Sequence, residues 1–75
     1  MTRHDYITRE LTRLARVASG LQLRYQAHFS LHQAASMAGN ENEICQRRDD
    51  LHTVLDALMD NGEAIQRLIR ELETL

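Results

Sequence analysis

The chain has 75 residues and a mass of 8.7 kDa, room for one small domain and not for separate substrate and cofactor domains. It has no proline, three glycines and one cysteine, Cys45, which excludes an internal disulfide, and its richness in Leu, Ala, Arg, Glu and Gln points to an all-α fold. All nine basic residues are arginine, the bias expected of a GC-rich bacterial or phage genome, and the formal charge of −2 hides a split in which residues 1–37 carry +3 and residues 38–75 carry −5.

Thr2 followed three residues later by Asp5 reads as a helix start, and Gly20 is the one breaker before Gly39, so the first element is a long helix over about residues 3–38. Ala38-Gly39-Asn40 then supplies a left-handed stop at Gly39 and an N-cap at Asn40, with Glu43 placed to reach back as a capping box. A second helix follows over about residues 41–74. Within it, Asp60-Asn61-Gly62-Glu63 also reads as a break followed by a new capped start, so an interruption near Asn61-Gly62 is the alternative to a continuous helix.

Both segments carry apolar residues at alternating steps of three and four. In the first the seam is His4, Ile7, Leu11, Leu14, Ala18, Leu21, Tyr25, His28, His32 and Ala35, and in the second it is Ile44, Arg48, Leu51, Leu55, Leu58, Gly62, Ile65, Ile69 and Leu72. A turn at Gly39-Asn40 makes residues whose numbers sum to about 79 or 80 face each other, pairing Ile7 with Leu72, Leu14 with Ile65 and Leu21 with Leu58. The same arithmetic sets Ala18 against Gly62 as a small-on-small layer. The expected architecture is thus two long antiparallel helices, a helical hairpin. Two such rods bury one stripe each, and Val17, Leu31, Val54, Leu68 and Leu75 widen the stripe, so a homodimer forming a four-helix bundle is the expected way to cover the rest. A three-helix fold doubled back at Asn61-Gly62 and a monomeric hairpin with an open face are the alternatives.

Several residues carry possible chemistry. His28 and His32 lie four apart on one helix face, the spacing at which two imidazoles share a metal, and the hairpin register brings His52 toward them, so a zinc site is constructible; the competing reading is a polar layer in the seam. Arg9, Arg13 and Arg16 form a stripe on the outer face of the first helix, a pattern that suits phosphates, or else a solvated face neutralised by Glu10 and nearby acids. Leu23, Phe29 and Leu31 are more apolar than a solvated coiled coil requires and are the candidate partner contacts, with a widened core as the alternative. Cys45 near a helix start reads as a small hydrophobe or a reactive thiol, and Arg48 as a seam residue whose head snorkels out.

No glycine-rich phosphate loop, nucleophile elbow or paired catalytic carboxylates occur in the sequence, so the expectation is a non-enzymatic protein with no cofactor. Neither a signal segment nor an apolar run near 18 residues is found, so the expected setting is the cytoplasm with no membrane. The leading functional reading is a small protein-interaction module, a regulator, adaptor, chaperone or inhibitor, that self-associates and binds another protein by helix packing. The rival is a dimeric RNA- or DNA-binding regulator using the arginine stripe. In length and topology such a hairpin resembles plasmid copy-number RNA-binding regulators; the resemblance extends to no motif, so it transfers no functional residue.

Overall fold

A computed structural model describes residues 2–75. They form two helices, α1 (Arg3–Ala38) and α2 (Glu41–Glu73), folded back on each other as an antiparallel hairpin measuring 55 × 15 × 14 Å. Among the described residues no helix is long and apolar enough to cross a membrane.

Local chemistry sets the ends. The Thr2 hydroxyl accepts from the Asp5 amide at 3.1 Å while the Asp5 carboxylate accepts from the Thr2 amide at 3.4 Å, so two otherwise orphaned N–H groups are satisfied reciprocally. At the other end of α1, Gly39 sits at φ 72°, where a side chain would clash with its own backbone, and its N–H donates to the carbonyls of Ala35 and Ser36. Asn40 then caps α2 by accepting from the Glu43 amide at 3.1 Å. The expected return bond from Glu43 is replaced by a longer-range attraction: its carboxylate lies 3.6 Å from the Arg47 guanidinium.

α2 is continuous through Asn61-Gly62, which removes the break and the three-helix alternative. The reason lies in where Asn61 points. Its side chain is buried and its Nδ2 donates to the Leu14 carbonyl across the hairpin at 3.1 Å, a tertiary contact made from within the helix at the point where Asp60 was the expected cap of a new start. Gly62 keeps helical backbone, and a methyl group placed on it would meet no atom within 4 Å, so the expected close layer against Ala18 is not formed.

The seam of α1 is the one read from the sequence: Ile7, Leu14 and Ala35 are buried and Leu11, Ala18, Leu21, Tyr25, His28 and His32 half-buried, with His4 exposed at the helix end. On α2 only half of the expected seam faces inward. Ile44, Leu51, Leu58, Ile65 and Leu72 do, but the alternate positions are Arg47, Val54, Asn61 and Leu68 instead of Arg48, Leu55, Gly62 and Ile69. The inward row is the more polar of the two: Asn61 donates to Leu14, while Arg47 lies 3.6 Å from Glu43 and 3.8 Å from Asp50, and its buried Nε has no hydrogen-bond partner among the described residues. The register also departs from the arithmetic. Asn61 reaches Leu14, and Arg3 forms an ion pair with Glu71, contacts whose residue numbers sum to 75 and 74. That is about one helical turn from the expected 79 or 80.

Candidate interaction surface

Because Arg3 and Glu71 meet on one side of the hairpin, the helical repeat places the rows that follow on the opposite side. On α1 the row runs Thr8, Thr12, Ala15, Ser19, Gln22, Gln26, Phe29, Gln33 and Ser36. On α2 it runs Cys45, Arg48, His52, Leu55, Met59, Gly62, Gln66, Ile69 and Glu73. Of these 18 residues two are formally charged, Arg48 and Glu73, in a chain that is 27% charged and would put about five there at random. The other side carries Arg3, Glu10, Arg13 and Arg24 from α1 and Glu43, Asp50, Asp60, Arg67 and Glu71 from α2.

This charge-poor flank is more apolar than its residue names suggest. The hydroxyls of Thr8, Thr12 and Ser19 donate to the carbonyls of His4, Thr8 and Ala15 in their own helix, at 3.0, 3.0 and 3.2 Å, so their donors are consumed locally. Leu55 is 38% exposed, Ile69 41%, Phe29 43% and Met59 64%, all on this one flank. Phe29 is held by Tyr25, whose ring stacks on it with centroids 6.1 Å apart and planes inclined by 29°. Gly62 and Ala15 leave a low point between these projections. Leu55 and Ile69 were expected in the seam, and Met59 stood out by no sequence signal; the clue available was that the apolar stripe of α2 is wider than one seam.

The partner contacts expected from sequence do not converge. Leu23, 69% exposed, stands on the outer spine of α1 with Arg9 and Arg16, whereas Phe29 and Leu31 lie on opposite flanks, about 200° apart around the helix. Single exposed leucines are ordinary on a protein surface, so of the three only Phe29 belongs to a continuous patch.

The arginine stripe survives in altered form. Arg9, Arg13 and Arg16 line a shallow depression on α1 together with Thr8, Thr12 and Val17. Arg13, however, grips Glu10 one turn back, with Nη2 2.8 Å and Nε 3.2 Å from the carboxylate, so Glu10 is held below the usual carboxylate range by a hydrogen bond from Arg13 and an anion at this site must compete with it. Arg3, whose guanidinium also lies 4.8 Å from the Tyr6 ring centre, depresses Glu71 in the same way. Between helices the charge split is thus expressed at Arg3–Glu71, while Arg13–Glu10, Arg47–Glu43 and Arg47–Asp50 form within one helix.

The histidines are not gathered into one site. His28 and His32 are half-buried in the seam and the Nδ1 of His28 is buried with no hydrogen-bond partner among the described residues, but His52 is exposed on the charge-poor flank. Among the described residues no group of three or more His, Cys, Asp or Glu side chains is placed to hold a metal ion. Cys45 is exposed, with the Arg48 guanidinium 3.5 Å from its sulfur, and Arg48 itself lies on the flank and not in the seam. Compared with family models, curated proteins and solved structures, the chain matches none of them.

Proposed function

We propose that the chain is a non-enzymatic protein-interaction module, a regulator, adaptor, chaperone or inhibitor, that works by packing its charge-poor flank against other helices. The observation that carries this reading is the coincidence, on one side of the hairpin, of an almost uncharged strip with the exposed Phe29, Leu55, Met59 and Ile69. Such a strip costs little to desolvate, and helix-in-groove recognition reads residues at this spacing. A rod 15 Å across offers its length as binding surface, not an enclosing cleft. We place its work in a reducing cytoplasm, where the exposed Cys45 stays a thiol.

Site-specific photo-crosslinking tests the reading. With a benzoylphenylalanine at Met59, adducts of discrete mass containing protein are expected in the cells that express the chain, whereas the same group at Asp56, three residues back and about 60° around onto the acidic spine, gives none. Equal labelling at both positions, or none at Met59, refutes it. The nucleic-acid reading rests on Arg9, Arg13 and Arg16 and is weakened by the engagement of Arg13 with Glu10. It predicts instead nuclease-sensitive adducts from the α1 spine and binding that falls steeply with salt.

A further inference from the structure

We infer that the first occupant of the charge-poor flank is a second copy of this chain, and that the two hairpins pack with their turns at the same end, each α1 lying beside its partner's α2. This rests on the flank being the working surface. Two observations select a second copy and its orientation.

The first is area. The hairpin exposes 5678 Å². A compact monomer of the same mass exposes about 4,700 Å². The excess of about 1,000 Å² is enough to supply the roughly 800 Å² that each partner contributes to a stable interface of standard size. The flank has the means to bury it. Leu55, Met59 and Ile69 project, and the space over Gly62 is open for an apolar side chain from the other copy.

The second is charge. Only two two-fold arrangements bring one flank against itself along parallel rods. If the axis runs along the rod, α1 lies beside the partner's α2 and both turns share an end. If the axis crosses the rod, α1 lies beside α1, α2 beside α2, and the turns are at opposite ends. α1 carries a net +3 and α2 a net −5. The outer spines that border the flank repeat the contrast, with Arg9 and Arg16 on α1 against Asp49, Asp56, Glu63 and Arg70 on α2. The crossed arrangement sets like charges along both edges of the interface, and the axial arrangement sets opposite charges there.

The native cysteine supplies the test. Cys45 lies four residues past the start of α2, close to the turn, so a spin label on it reports which ends meet. Sedimentation equilibrium should give twice 8.7 kDa. Electron double resonance on that dimer should then give a label-to-label distance of about 15–30 Å, the diagonal of a bundle with axes about 10 Å apart plus the label arms. The crossed arrangement gives about 40 Å or more, from the helix rise between the two ends. A Met37→Cys label in a Cys45→Ser background, on the outer spine at the turn, should report the same choice without touching the flank. Dimerisation should weaken as salt rises. The double variant Leu55→Glu, Met59→Glu changes two exposed side chains and should become monomeric while keeping its helical circular dichroism. A long distance, tightening with salt, or a dimer that survives the double variant overturns the inference. So does a mass of 8.7 kDa for the unaltered chain; in that case the crosslinks from Met59 still decide separately whether the flank binds other proteins.

Discussion

Asn61 is the buried polar residue of the seam, and its substitutions have different expected outcomes. Its side chain is buried and donates one hydrogen bond, 3.1 Å long, to the Leu14 carbonyl. That carbonyl lies inside α1 and also accepts the helical bond from four residues on, so it is not orphaned when the amide is removed. Asn61→Ala therefore loses the net worth of one bond, about 0.5–1.5 kcal/mol, with no added penalty for an unpaired acceptor. Asn61→Leu loses the same bond but removes a buried amide and adds apolar surface, worth up to about 1.5–3 kcal/mol for a fully buried leucine, and is expected to equal or exceed the parent in stability. Asn61→Asp removes the donor and sets a carboxylate against a carbonyl oxygen, so it should be the worst of the three at neutral pH. The assay is thermal and urea unfolding followed by circular dichroism at one fixed protein concentration, because self-association would shift the midpoint by mass action. A change of 1 kcal/mol moves the midpoint by roughly 4–8 °C in a domain of this size. If Asn61→Leu is destabilised as much as Asn61→Ala, the account of a polar group tolerated for its single bond is wrong.

The remaining predictions test the core, the backbone and the surface charge. Ile7 is fully buried, and Ile7→Ala should cost about 2–5 kcal/mol by the same unfolding assay; a cost below about 1 kcal/mol would remove it from the core. Gly20→Ala and Gly62→Ala add a methyl group in open space on a helical backbone and should each stabilise by about 0.5–1 kcal/mol in dilute protein, whereas Gly39→Ala, at φ 72°, should cost about 1–2 kcal/mol. Glu71 has its carboxylate pKa lowered by the hydrogen bond from Arg3, so the stabilisation is present above the ordinary value of 4.5 and is lost as pH falls through the depressed folded value. The melting curves of the parent and Glu71→Gln should therefore converge as the solution is acidified below that point, and a constant offset would show that the ion pair contributes nothing.

What the sequence by itself determined is what local chemistry encodes. Thr2 with Asp5, Asn40 with Glu43 and the left-handed Gly39 each act within a few residues, so both helix starts and the turn were legible from a short window, and the bounds of α1 follow. The seam of α1 was legible too, because one row there is clearly more apolar than its neighbours. The arrangement of α2 was not. Its core positions Ile44, Leu51, Leu58, Ile65 and Leu72 admit either of two companion rows, and hydropathy favours Leu55 and Ile69 over Asn61 and Arg47. The tertiary structure decides otherwise: Asn61 turns inward with its amide on the Leu14 carbonyl, and Arg47 turns inward beside Glu43 and Asp50 although its Nε is left without a hydrogen bond among the described residues. That rotation of α2 by one residue turns Asn61 into the core within an unbroken helix. It leaves Leu55, Met59 and Ile69 together on a charge-poor flank, because the angle at which a helix presents its stripe is set by its contacts with the helix it packs on and not by hydropathy alone.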